Sequence, residues 1–266
     1  MGSFIDALAK RKYNLAAEIN AIEELIRRGS YKSDILSLFK KNFLDWPLRN
    51  NYVSVDLFLT EMGLLEITDF SAIGANISIE QYVYYVEFIL NMVLFVDNNN
   101  ETGYGKHILD NVVNVLGPLN YTIHFEDEKQ VHVIQKDILV SEAAEIVQDS
   151  YELGESIYSF NYRELKGNLN GKSDIICRLY KYIESITSSA KQYGYSTLLE
   201  DIKDLSNKLD VRHTTNDKQE EVINSMGKDE YESWLDELFN LSLSLIVLVD
   251  YTSKRKDIKE LKSRLG

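Results

Sequence analysis

The chain has 266 residues, 44% of them apolar, with only 2 Pro and 13 Gly; that length suits one or two domains, and so few breakers favour long helices over many short strands. The net charge is −13, and the acidity is concentrated: residues 51–150 carry 3 Lys/Arg against 16 Asp/Glu, while 1–50 carry 9 against 6 and 151–266 carry 17 against 20. The acidic middle repels phosphate backbones, which argues against nucleic-acid binding there but leaves the two flanks open to it.

Cys177 is the only cysteine, so no intramolecular disulfide can form and a reducing cytoplasm is the expected location. The start, Met1 to Asp6, turns acidic before an apolar run builds, unlike a signal peptide, and Asp6 stands where myristoylation wants Ser or Thr. Leu238 to Val249 reads as the most apolar stretch, but Asn240, Ser242 and Ser244 interrupt it. It falls short of the about 20 residues a bilayer needs and predicts a buried helix, with no membrane partner.

In chain order, Ser3 and Gly29 bracket a first helix, with Leu15, Ile19, Ile22 and Ile26 as one apolar seam and Lys10, Arg11, Lys12, Arg27 and Arg28 on a solvated face. A second helix covers 31–44, and Trp46-Pro47 breaks the chain because the residue before proline avoids the α region. Short helix 54–62 ends at Met62-Gly63. Ser78 caps a helix to about Asp97, so rich in apolar residues that it must be nearly enclosed. A loop follows at 98–103, then a helix over 104–116 that stops at Gly117-Pro118.

Residues 121–134 change period from helical to alternating, a β-hairpin signature. Facing the apolar residues sets Phe125 opposite Val131, Ile123 opposite Val133, and His124 opposite His132, with Glu126 to Gln130 as the loop. Two cross-strand imidazoles need a third ligand to hold a metal; the plainer reading is the exposed polar face of a hairpin, and no metal or cofactor is expected.

A long helix is expected from Asp137 or Ser141 to about Leu165, a turn over Gly167–Gly171, then helices over 172–193, closed by Gly194, and 196–208. A polar loop covers 210–217. The last long helix runs over 229–251 in surroundings expected to be apolar nearly all round, with Trp234, Leu238, Leu241, Leu245 and Leu248 on one face and Phe239, Ile246 and Val249 on another, and an amphipathic charged tail follows from Lys254. The fold class is therefore mainly α, with a helical N-terminal unit (1–117) and a hairpin plus C-terminal helical bundle (118–266).

Phosphate-binding glycine loops, CxxC, HExxH, GxSxG and calcium-loop motifs are all absent. Acidic pairs such as Asp201/Asp204 are expected by chance among 42 carboxylates. Arg212-His213 is more distinctive, because both lie in a polar loop between helices. An Arg fork can clamp phosphate and a His can move a proton near neutral pH. That is the chemistry that metal-free RNA cleavage requires.

Three segments carry a resemblance: Leu165 to Lys172 leading into Leu179 to Glu184, Leu209 to Asn216, and Tyr231 to Asp236. Over 138–266 the chain resembles the C-terminal part of bacterial abortive-infection proteins, which are phage-defence factors. Many of these are similar to HEPN domains, helical bundles that often dimerise and cleave RNA without metal. The resemblance implies Arg212 and His213 as the catalytic pair, RNA as substrate, and a homo-oligomer. HEPN ribonucleases usually separate the two residues by four to six others, a spacing no Arg–His pair in this chain has. A non-catalytic sensor, adaptor or oligomeric module, acting on a phage or host protein, is the alternative. Residues 1–117 match no named pattern and are a candidate sensor or partner unit.

Overall fold

The structure, a computed structural model, describes residues 14–27, 35–64, 77–100, 104–126, 130–211 and 216–265. It is mainly α-helical, with a single two-stranded antiparallel hairpin among the described residues. The chain divides into two compact units, Met1–Gln135 and Lys136–Gly266. The boundary lies after the hairpin rather than at 117/118, because the hairpin packs on a helix of the first unit.

In the first unit, α1 (Leu15–Arg27), α2 (Ile35–Asn42), α3 (Val55–Glu61), α4 (Ile79–Asn100) and α5 (Tyr104–Leu116) precede β1 (Tyr121–Glu126) and β2 (Gln130–Gln135). The predicted seam of α1 is buried at Leu15, Ile19, Ile22 and Ile26. Its predicted ends, Ser3 and Gly29, and the cations Lys10 to Lys12 lie outside the described residues, as do hairpin-loop residues 127–129. Trp46 has the extended backbone that Pro47 demands. Its ring meets Phe39, Phe58 and Phe88 edge-on, the geometry ring quadrupoles favour.

Helix α4 opens with a reciprocal capping box: Gln81 N–H donates to Ser78 Oγ at 3.1 Å, and Ser78 N–H donates to Gln81 Oε1 at 3.0 Å. It continues through Asn100, so 98–100 are helical where a loop was expected. Its Ile79–Asp97 stretch is long and apolar enough to cross a membrane by length and composition, and 61% of that window is buried within the protein.

The hairpin has the predicted register, including His124 across from His132. The expected exposed polar face is corrected on β2: His132 is 2% exposed, and Val131 to Ile134 are all buried. A helix covers that strand and bonds to its backbone at Val131 and Val133. Asn91 of α4 acts as a surrogate strand, accepting from Val131 N–H at 2.8 Å and donating to Val131 O at 2.7 Å. One turn earlier, Glu87 accepts from Val133 N–H. This stitching covers backbone groups that would otherwise invite another strand.

The second unit holds α6 (Ile138–Ile146), α7 (Tyr151–Ser159), α8 (Leu169–Gln192), α9 (Ser196–Lys208), α10 (Asn216–Met226) and α11 (Lys228–Leu265). Helices α6 and α7 correct the single helix expected to Leu165. At about 100° per residue, the apolar stripe of Val140, Ala143 and Val147 lies roughly 110° from that of Leu153, Ile157 and Phe160. One straight helix cannot turn both inward, and the break at 147–150 lets both be buried. Helix α10 was not anticipated, since Val222, Ile223 and Met226 form only a half-buried face. The seam of α11 is Tyr231, Leu235, Leu238, Leu245 and Val249, whereas Trp234 and Leu248, assigned to its inward face, are exposed.

Candidate functional site

The turn between α7 and α8 is explained by its sequence. Gly167 has φ +78°, a backbone that side chains rarely adopt. Asn168 caps α8 by accepting from Gly171 N–H at 3.0 Å. A Cβ at Gly171 would meet the Leu165 Cδ2 at 2.7 Å and the Asn168 Nδ2 at 2.9 Å. The turn thus delivers Lys172, on the first turn of α8, into the interior at 6% exposure.

Lys172 is held from three sides. Its ammonium donates to Asp236 Oδ1 at 2.6 Å and to Glu232 Oε1 at 2.8 Å, both on the first turns of α11. It also lies 5.1 Å from the centroid of the Phe160 ring, a cation–π contact. Phe160 in turn stacks flat on Phe239, centroids 3.7 Å apart. The same Glu232 oxygen accepts from Gly167 N–H at 2.9 Å. Burial pushes the Glu232 carboxyl up, but the Lys172 ammonium, the Gly167 amide and the Lys166 charge outweigh it and hold the group below the ordinary carboxylate value. A cleft of about 670 Å³ opens beside this cluster, lined further by Asn161, Arg163, Lys166, Asp229 and Ser233.

A second network begins one residue before Glu232. Tyr231 is fully buried. Its hydroxyl donates to Leu209 O at 2.9 Å and accepts from Gln219 Nε2 at 2.8 Å. Gln219 reaches on to Ser173 Oγ at 2.9 Å. The backbone before and the helix after the polar loop are therefore tied to one hydroxyl.

The loop also starts from a well-formed helix end. Val211 N–H donates to Ser206 O, and Asp210 N–H to Asn207 O, the paired bonds of a Schellman motif. Glycine normally fills its left-handed position; here Asp210 does, at φ +52°. Asp210 is 7% exposed, and its Oδ2 has no hydrogen-bond partner among the described residues. A strained backbone carrying a buried, unsatisfied carboxylate oxygen is a combination found at functional sites.

The predicted pair Arg212 and His213 lies outside the described residues; the structure places the chain up to Val211 and again from Asn216. The described parts of the three resembling segments do converge: Lys172 from the first, Leu209 from the second, Tyr231, Glu232 and Asp236 from the third. The sequence reading did not single out Lys172, Tyr231, Gln219 or Asp210. The available signal was Glu232 and Asp236 at helical spacing near the start of α11, but their cation is 60 and 64 residues away. In the hairpin, His132 is paired with Glu126 across 3.0 Å. Comparison with known proteins yields no match among family models, curated proteins or solved structures.

Proposed function

We propose that this chain is a cytoplasmic bacterial anti-phage protein of the abortive-infection type, whose C-terminal helical unit cleaves RNA without metal through the loop bearing Arg212 and His213. The observation that carries the reading is the clamp at that loop: one buried hydroxyl, Tyr231, binds both Leu209 and Gln219. Such a closure reduces the ordering that a catalytic loop must undergo when substrate arrives. In the proposed step His213 takes the proton of a ribose 2′-hydroxyl. The 2′-oxygen bonds to phosphorus, the P–O5′ bond breaks, and the proton passes to the departing O5′. A 2′,3′-cyclic phosphate and a 5′-hydroxyl result. Arg212 balances the extra charge on the phosphorane.

A second reading, a non-catalytic oligomeric interaction module, is favoured by the apolar stripe that α11 exposes beyond the core. The test compares wild type with Arg212→Ala/His213→Ala in cells challenged by phage, scoring plaques, growth arrest and total RNA integrity. RNA cleavage by wild type and not by the double variant is the expected result. Protection by both proteins with RNA intact removes the nuclease reading and leaves the interaction module.

A further inference from the structure

Helix α11 runs from Lys228 to Leu265, yet its buried residues end at Val249. The 16 residues that follow, about 24 Å of helix at 1.5 Å per residue, lie outside the core. A helix that has left its core has no reason to keep an apolar face, but this one does. Tyr251, Ile258, Leu261 and Leu265 are 63%, 52%, 53% and 79% exposed. At about 100° per residue they share an arc of roughly 80° with Val247, on roughly the opposite side from Leu238, Leu245 and Val249. The stripe is thus a second one, not a continuation of the core seam.

Its spacing is heptad: Tyr251, Ile258 and Leu265 take a positions, and Lys254 and Leu261 take d positions, while Val247, one heptad before Lys254, packs against the unit's own core. Lys254 is the polar exception, and its ammonium is drawn to Asp250 on the same helix at 2.8 Å. The flanking charges choose the partner. Asp250 and Asp257 fall at g, and Arg255 and Lys262 at e. In a parallel pair of identical helices, g meets e′ of the next heptad, so Asp250 faces Arg255 and Asp257 faces Lys262, opposite charges at both levels. An antiparallel pair would set e against e′, cation against cation.

We infer that a second copy of this chain covers the stripe, forming a parallel two-stranded coiled coil from Tyr251 to Leu265. A seam this short is marginal for free peptides, because each helix must be ordered as it pairs. Here the core has already ordered the helix through Val249, which removes much of that cost. The inference stands independently of any chemistry at the Arg212-His213 loop.

Sedimentation equilibrium on the full chain at micromolar concentration tests it. Wild type is expected to be dimeric, and Ile258→Asp/Leu261→Asp monomeric with an unchanged helical circular-dichroism spectrum. Asp257→Lys is expected to weaken the dimer about tenfold, with two symmetry-related pairs turned from attraction to repulsion, and adding Lys262→Asp to restore it. In a Cys177→Ser background, Leu265→Cys is expected to form a disulfide-linked dimer on oxidation, as only the parallel arrangement allows. A monomeric wild type, a dimer indifferent to the two aspartates, or failure of the charge swap overturns the inference. So does a monomer that sediments with phosphatidylserine vesicles through the same stripe, which would make it a lipid-facing helix.

Discussion

Each unit buries a tyrosine ring completely, Tyr82 in the first and Tyr231 in the second, and the two hydroxyls have different fates. Tyr82 Oη has no hydrogen-bond partner among the described residues, and burial pushes its phenol far above the ordinary value. Tyr231 Oη joins the end of α9 to the start of α10. The surroundings follow the same division. The first unit is an aromatic core around Phe39 and Trp46; its buried polar contacts stitch one strand edge to one helix and set the Tyr85 hydroxyl on the Glu23 carboxylate at 2.8 Å. The second unit buries a cation, Lys172, among carboxylates and ties together segments far apart in sequence. The comparison teaches that apolar packing tolerates an idle polar atom, whereas a polar network makes neighbours depend on each other.

The chain has one tryptophan in each unit, Trp46 and Trp234, so Trp46→Phe and Trp234→Phe backgrounds let fluorescence follow each unit separately in urea. Lys172→Met should produce the largest effect. It leaves Glu232 with its carboxylate half enclosed and without its cation, and the Trp234 transition should fall by about 2–3 kcal/mol, less than for a fully buried pair because Asp236 is partly solvated. An unchanged midpoint would show that the cluster is incidental to the unit. Asn91→Ala should cost the first unit about 2 kcal/mol, since the N–H and C=O of Val131 both lose a partner in a buried setting. Its signature is a shift of the Trp46 transition alone, and movement of both transitions would break the comparison.

Next come the two tyrosines. Tyr231→Phe should cost about 1–2 kcal/mol by orphaning Leu209 O, while Tyr82→Phe should be neutral or slightly stabilising because it deletes an unsatisfied hydroxyl. Equal losses in the two variants would erase the contrast. Asp210→Gly should stabilise the second unit by about 1 kcal/mol, relieving a left-handed backbone; loss of phage protection at the same time would mark Asp210 as kept for function. The smallest effect concerns pH. The folded-state pKa of Glu232 is lowered, so its contribution is present above the unfolded value of about 4.3 and is lost as pH falls through the folded one. Glu232→Gln should flatten the acid limb of the Trp234 unfolding midpoint; an acid limb as steep as wild type's would contradict that assignment.

Much of the fold was legible because it is local. Ser78 and Gln81 are a capping box wherever they fall, alternation at 121–134 defines a hairpin and its register, and the seam of Leu15 to Ile26 repeats at helical spacing. The break between α6 and α7 was legible only in retrospect, through the mismatch of two stripes. Helix α10 left too faint a stripe to read. The hairpin register placed His132 correctly along the strand and misplaced its burial, since a strand does not encode which helix will cover it.

What the sequence determined by itself is therefore the class: mainly helical, one hairpin, an acidic middle, and an apolar stripe recurring past Val249. Periods of 2 and 3.6 residues and capping pairs act over a few residues, within reach of the chain's own grammar. What only the tertiary structure decided is which polar residues matter together. Lys172 acquires Glu232 and Asp236, and Tyr231 acquires Leu209 and Gln219, across tens of residues. Such partnerships arise because burial removes water as a competitor, and burial belongs to the packed fold rather than to any segment of it.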